Sequence, residues 1–241
     1  MTSLNFALDN IPDLTGKKVL ITGASSGIGL ATARIFVQKG AAIEYRNCDI
    51  CKWYQLVSAF QHAGILDIVI SNAGIIDQSQ YLADDIDLSL DAADKIPEPT
   101  YYPVLDINIR ATMNVTKLAI ASFRNHSRDG SIVLLSSAAG YWSEQSLPVY
   151  SASKAAVLGF MRALRSGLRS SAKGSPNITI NAVAPGATIT ALRWNGRGIV
   201  TIGDTYVEVE GPLRETRQTW FGEKSEELTR MQQGAMDVTD I

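Results

Sequence analysis

The sequence predicts an α/β fold, a doubly wound parallel sheet carried by a single domain over residues 1–241. Three observations predict it. Short apolar runs rich in β-branched residues alternate along the chain with segments of helical period. A glycine-rich loop follows the first of these runs and opens the first helical segment. Hydrophobic residues make up 46% of the chain, enough for one sizeable core, and single α/β domains often run past roughly 200 residues.

The elements follow in order. Lys18 to Thr22 (KVLIT) reads as the first strand and Ile28 to Lys39 as the helix after it. Ile43 to Cys48 is a short second strand, followed by a helix from about Lys52 to His62. Asp67 to Ser71 (DIVIS) is a further buried strand. Pro97, Pro99 and Pro103 punctuate the approach to a long helix from about Val104 to Asn125. Ser131 to Ser136 is a strand, Tyr150 to Ser171 a long helix, and Ile178 to Val183 (ITINAV) the strand after it. Gly198 to Ile202 closes the sheet, and the polar segment Leu213 to Gln233 forms a terminal helix. No repeat or low-complexity segment interrupts this order.

Composition excludes several functions. A formal net charge of −2 makes no field to gather nucleic acid or an anionic membrane surface. No apolar run approaches the roughly 20 residues that span a bilayer, and Met1 to Asp13 lacks the pattern of a secretory signal. A soluble, cytoplasmic protein is expected. The two cysteines, Cys48 and Cys51, form a Cys-x-x-Cys, but His62 and His126 are the only histidines to complete a metal site. Ordinary packing is the simpler role for the pair, and no metal is expected.

Thr22-Gly23-Ala24-Ser25-Ser26-Gly27-Ile28-Gly29 joins the first strand to the first helix. A phosphate needs close backbone approach, free N–H donors and the positive end of a helix, and Gly23, Gly27 and Gly29 supply the turn, the approach and the close helix–strand packing. A tight ligand-free turn would use the same residue type, so context decides for dinucleotide binding in a Rossmann-like unit. The Gly-x-x-x-Gly-x-Gly spacing resembles that of the short-chain dehydrogenase/reductase family. The resemblance extends from about Thr15 to Thr190. Asp49, with Ile50 behind it, matches the family's adenine-contacting aspartate. Asn72-Ala73-Gly74 matches its Asn-Ala-Gly segment, and Pro185-Gly186 with Thr188 and Thr190 the segment at the nicotinamide end. The resemblance thus implies NAD as cofactor, with NADP the alternative, held by Gly23, Ser25, Ser26, Gly27, Ile28 and Gly29 together with these residues, Tyr150 and Lys154.

Tyr150 and Lys154 are four residues apart and share a helix face. A phenol with pKa near about 10 is a poor base at neutral pH, and a nearby lysine cation favours its phenolate. Alone, this spacing is a common accident. Ser137, thirteen positions before Tyr150, sits at the family's offset, which selects it over Ser136 as the hydroxyl that bonds the substrate oxygen. Asn108 matches the family asparagine of a proton relay to the lysine. The resemblance implies hydride transfer between nicotinamide and a secondary alcohol or ketone, with Tyr150 as acid/base. It also implies a homodimer or homotetramer built on the helices that carry Asn108 and Tyr150; Leu158, Met161 and Leu164 are available to serve it, although core packing is their simpler explanation.

Two departures from the pattern stand out. Between Gly40 and Asp49 there is room for one strand where the family has a strand–helix pair and a second strand. The missing piece normally chooses NAD from NADP. Glu44 and Arg46 argue in opposite directions, and the non-basic Ser26 favours NAD. After Thr190 the family's substrate-covering lid is also short. The tail with Trp220, Phe221, Gly222 and Glu223 resembles those of fungal members similar to NAD-dependent 15-hydroxyprostaglandin dehydrogenase. The chain therefore reads as internally shortened, which leaves a second function open: a non-catalytic relic that acts by binding or dimerisation.

Overall fold

The computed structural model describes residues 11–76, 81, 89, 102–141, 144, 146–169 and 174–186. All of them lie in one compact unit, Phe6–Thr201. The expected last strand, the terminal helix, the Trp220–Glu223 tail, Thr188 and Thr190 fall outside the described residues, as does 202–241 of the expected single domain.

Four strands, β1 (Val19–Ile21), β2 (Ile68–Ser71), β3 (Gly130–Leu135) and β4 (Ile178–Val183), form a parallel sheet in the order β1-β2-β3-β4. Val69 pairs with both Leu20 and Ile132, and Ile132 with Ile180, so one register runs across the sheet. Parallel strands cannot be joined by tight hairpins, and helices fill the crossovers. These are α1 (Gly27–Gln38), α2 (Trp53–Ala63), a long helix in three parts and α5 (Pro148–Arg169). The three parts are α3 (Tyr102–Leu105), a π-helical segment (Asp106–Ala111) and α4 (Thr112–Asn125). Strands covered on both faces read as continuous apolar runs, which is why IVIS and SIVLL were legible as strands. Val69, Ile132 and Leu134 are fully buried, as are Val115, Ala119 and Phe123 of α4 and Met161 of α5. A second cluster, Leu14, Val19, Ala41 and Ile70, packs with Phe36 of α1 and Ile43.

The expected strand Ile43–Cys48 does not form. Its start makes a single parallel bridge, Lys18 to Ala42, with the Ala42 amide donating to the Lys17 carbonyl at 3.0 Å. Ile43 still packs into the core, but Glu44 turns away to His62 of α2, 3.0 Å off, and the Asp49 amide donates to Gln55 Oε1 at 2.8 Å. The segment thus lies along α2 as an irregular strap tied at both ends. A strand needs a partner for its whole length, and β1 offers only three residues.

The start of the sheet is locked by Asp67, which is 8% exposed. Its carboxylate accepts from the Lys18 amide at 2.9 Å, from Lys17 Nζ at 3.3 Å and from Arg128 Nη2 at 2.8 Å, joining the lead-ins of β1, β2 and β3. Burial raises its pKa, but the three donors outweigh burial and hold it below the usual carboxylate range. A lowered carboxylate pKa contributes stability above the unfolded value that disappears as pH falls through the folded one. Asp67→Asn is expected to cost about 2 kcal/mol at pH 7, since both cations are half exposed and the pair is not fully desolvated. Urea denaturation from pH 7 down to pH 3 checks this: the gap between wild type and variant must narrow as the medium is acidified.

Candidate active site

The glycine loop is held open from below. Gly23 and Gly27 adopt φ of 68° and 55°, the left-handed region that glycine reaches without penalty. A Cβ on Gly29 would collide with Asn72 Nδ2 and the Gly23 carbonyl, because the loop closes directly onto the end of β2. Thr22 makes that closure. Its buried hydroxyl accepts from the amides of Asn72 at 3.0 Å and Ala73 at 3.1 Å. Asn72 Nδ2 answers by donating to the Thr22 carbonyl at 2.9 Å and the Gly23 carbonyl at 3.3 Å. Sequence reasoning overlooked Thr22 as a site residue. The available signal was a hydroxyl at the C-terminal end of a strand leading straight into a glycine turn.

Above the loop, the start of α1 is left unsatisfied. Ser26, the N-cap, makes no capping hydrogen bond from its side chain, and no acidic residue lies in the first helical turn. Ser25 and Ser26 are exposed. The positive end of the helix, with its unpaired N–H groups, faces solvent beside a loop whose backbone is bare at three glycines. These residues fit the pyrophosphate of a dinucleotide.

The adenosine side is thinner. Asp49 is exposed, and its carboxylate accepts from the Cys51 amide at 2.9 Å, closing its own turn before α2. Ile50 is half-buried beside it. Of the two opposed selector candidates, Glu44 is engaged with His62 and Arg46 is exposed. Cys48 and Cys51 are free thiols whose pKa values burial pushes up, with Asp49 adding to the shift. Among the described residues no three His, Cys, Asp or Glu side chains come together to hold a metal ion.

Four predicted side chains converge at the C-terminal ends of β3 and β4. Ser137 follows β3 and caps a short 3₁₀ turn, its hydroxyl accepting from the Ala139 amide at 3.2 Å and lying 3.5 Å from the Pro185 carbonyl. That carbonyl also accepts from the Ala138 amide at 2.9 Å, which ties the Pro185-Gly186 segment to the serine. Ser136 donates to the Lys154 carbonyl at 2.8 Å and is buried, so its hydroxyl is consumed in holding α5 to the sheet.

Tyr150 lies in the first turn of α5. Burial raises its phenol pKa, and a hydrogen bond with Ser137 pulls it part of the way back. Lys154 sits one turn on, 4% exposed, with Nζ 5.6 Å from the centre of the Tyr150 ring. Its ammonium donates to the Leu135 carbonyl at 2.9 Å, and burial lowers its pKa to about 8. The sequence expectation was a tyrosine pulled down by lysine. In this structure burial wins, and the phenol stands above its ordinary value.

Asn108 occupies the π-helical segment and is 1% exposed. A π turn inside an α-helix widens it by one residue and is frequent at functional sites. Here it turns Asn108 onto the strand end. Oδ1 accepts from the Ile75 amide at 2.9 Å, while Nδ2 donates to the Ile75 carbonyl at 2.9 Å and to Ser153 Oγ at 3.0 Å. Gly74 lies between Asn108 and Lys154: a Cβ there would stand 3.1 Å from Asn108 Oδ1 and 3.2 Å from Lys154 Nζ. Any side chain at position 74 would wedge the two apart.

Comparisons with known proteins bear on the family and the fold. Residues 42–197 match the model of the family described as short chain dehydrogenase. The chain is 35% identical to short-chain dehydrogenase/reductase prx4 of Penicillium roqueforti, covering 98% of this chain and 90% of that one. It is 33% identical to short-chain dehydrogenase/reductase ATR7 of Stachybotrys chlorohalonatus, covering 98% and 94%. Those alignments run to 305 and 313 positions against 241 residues, so both relatives carry internal sequence that this chain lacks. Among solved structures, the aldohexose dehydrogenase of Thermoplasma acidophilum, in ligand-free form, superposes with a TM-score of 0.60 at 24% identity, covering 88% of this chain and 74% of that one. A Beutenbergia cavernae protein, described as an NAD(P)-dependent gluconate 5-dehydrogenase and holding NADP at low occupancy, gives 0.61 at 24% identity, covering 74% and 75%.

Proposed function

This chain belongs to the short-chain dehydrogenase/reductase family of nicotinamide-dependent oxidoreductases, and from that premise we propose that it interconverts a secondary alcohol and a ketone with Tyr150 as the acid/base. The observation that carries this reading is the convergence of Tyr150, Ser137, Lys154 and Asn108 beside the glycine loop's strand ends. When bound, the nicotinamide supplies or accepts the hydride. In reduction, as hydride adds to the carbonyl carbon, the C=O electron pair moves to oxygen, and that oxygen takes the Tyr150 proton. The Ser137 hydroxyl, held by the Ala139 amide and the Pro185 carbonyl, bonds the same oxygen as its charge grows. Solvent then returns the proton to Tyr150. In oxidation every step reverses. Lys154 opposes the effect of burial by placing a cation over the ring and serves the nicotinamide ribose. Gly23 and Ser25 to Gly29 take the pyrophosphate. Asn72, Ala73 and Gly74 line the middle of the site, and Pro185, Gly186, Thr188 and Thr190 serve the nicotinamide end.

The shortened adenosine side has a measurable consequence. With Glu44 engaged by His62 and no strand over Ile43–Cys48 to carry a selector, neither a ribose hydroxyl nor a 2′-phosphate meets a dedicated partner among the described residues. One good contact is worth roughly tenfold in affinity, about 1.4 kcal/mol. Fluorescence titration of the purified protein is expected to give NADH and NADPH dissociation constants within about tenfold of each other. A preference beyond a hundredfold would mean that another residue rebuilds the selector. Failure to bind either cofactor would turn the reading to the non-catalytic alternative.

We also assign the outer face of α3 to α5 to a homodimer. Leu158 and Met161 are 1% and 0% exposed, so core packing consumes them and they cannot serve an interface. The open apolar groove lies elsewhere, lined by Leu105, Ile109, Met113, Ala152 and Ala156. Met113→Asp is expected to convert a dimer into a monomer without lowering the melting temperature by more than a few degrees. Light scattering that finds the wild-type protein monomeric at micromolar concentration would end this assignment.

A further inference from the structure

One buried hydroxyl in the site has no part in the chemistry above. Ser153 is 1% exposed, on α5 between Tyr150 and Lys154. Its single hydrogen goes to the Tyr150 carbonyl, 2.7 Å away, a back-bond within its own helix. With the proton so committed, Oγ presents only lone pairs to its other neighbour, and it accepts from Asn108 Nδ2 at 3.0 Å. The polarity of this pair is therefore fixed. Asn108 in turn has no choice of orientation: its amide is clamped by both backbone groups of Ile75, and flipping it would break three hydrogen bonds.

We propose that Ser153 is a positioning residue, which locks the Asn108-bearing π-helical segment to the helix that carries Tyr150 and Lys154. The proposal rests on the reading of Tyr150 as the proton donor. Its physical content is the narrow space at Gly74. Asn108 Oδ1 and Lys154 Nζ flank the same point from opposite elements, 3.1 and 3.2 Å from where a Cβ would be. The amide oxygen is the negative end of a dipole on the far side of Gly74 from a buried ammonium that donates to the Leu135 carbonyl. Around Lys154 stand the Tyr150 ring from its own helix, Leu135 from β3, Gly74 from the β2 end and Asn108 from the π segment. None of these is an anion. The Leu135 carbonyl and the Asn108 dipole are thus the polar groups placed around this ammonium, and Ser153 ties the second of them to its helix.

Removing the Ser153 hydroxyl leaves Asn108 clamped to Ile75 but cuts the side-chain bond that ties it to α5, so the amide oxygen and the Lys154 ammonium can move apart at Gly74 and the cation over the phenol shifts with its helix. The test is titration of Tyr150 by NMR of tyrosine labelled at ring carbon ζ, its resonance assigned with Tyr150→Phe. In Ser153→Ala the Tyr150 titration is expected to move upward by about half a unit or more, a threefold change in acid constant. Ser153→Thr, which keeps the hydroxyl, is expected to restore it. In turnover, Ser153→Ala is expected to lower kcat about tenfold with KM for cofactor unchanged, and to add little when Asn108 is already alanine. A Tyr150 titration identical in wild type and Ser153→Ala, with the fold intact, would overturn the proposal whether or not the protein turns over. A wild type without turnover but with the shifted titration would sink the dehydrogenase reading and leave the positioning role standing. Should Ser153→Ala fail to fold, Ser153→Cys fills the same space with a weak acceptor and carries the same comparison.

Discussion

Tyr150→Phe is expected to lower turnover about a thousandfold while leaving cofactor affinity within about twofold of wild type. The substitution removes one oxygen and keeps the ring that packs at the start of α5, under the Lys154 ammonium. Without the hydroxyl, the developing alkoxide has no proton donor, while Ser137 stays held by the Ala139 amide and the Pro185 carbonyl. The direction of the Tyr150 shift adds a pH signature. Because burial raises the phenol, it is protonated across the neutral range, which suits reduction. Oxidation needs the deprotonated phenol, so its rate should climb with pH over the range in which reduction stays flat. Retention of more than about a tenth of wild-type turnover, beyond the usual contribution of general acid catalysis, would remove Tyr150 from the assigned role.

What the sequence disclosed and what it hid divide along a physical line. Strands such as Ile178–Val183 were legible to the residue, because apolar and β-branched residues recur at period two, with Ile178, Ile180 and Ala182 buried. Gly23, Gly27 and Gly29 were legible because only glycine tolerates those dihedrals and that approach to Asn72. Tyr150 and Lys154 were legible as a helical pair. The strap at Ile43–Cys48 was not, since its apolar first residue packs like a strand while its partner edge is three residues long. Pairing is a property of two segments, and one segment cannot announce it. The π turn around Asn108 was equally hidden: a helical period over Val104–Asn125 does not reveal one extra residue per turn. Thr22 and Ser153 escaped for a third reason. Short hydroxyl side chains are commonplace at strand ends and on helices, and only the distances to Asn72 and Asn108 distinguish them. Leu158 and Met161, for which core packing is the simpler explanation, are indeed buried in the core.

Lys154→Met is expected to cost about a hundredfold or more in turnover, to weaken cofactor binding, and yet to relieve the folded protein of a burden at neutral pH. Lys154 is 4% exposed and its pKa stands near 8, with burial the cause. In the unfolded chain the amine titrates near about 10.4. The sign follows from proton counting. Below pH 8 both states carry the ammonium, and the folded state bears the full cost of burying it. Between pH 8 and roughly 10.4 the unfolded chain binds more protons than the folded one, so stability contributed by this group rises with pH. Methionine fills the same channel without a charge to desolvate, though it leaves the Leu135 carbonyl without its donor, worth about 1 kcal/mol in the other direction. At pH 7 the variant should therefore be at least as stable as wild type, and its relative advantage should shrink steadily from pH 8 to pH 10. Urea denaturation at four pH values in that range reads the slope directly. An advantage that grows with pH would mean that Lys154 is not held with a lowered pKa. Unchanged affinity for NADH in the same variant would separately remove Lys154 from the ribose. A lysine kept where burial penalises its charge, beside Tyr150, is what the proposed proton exchange calls for.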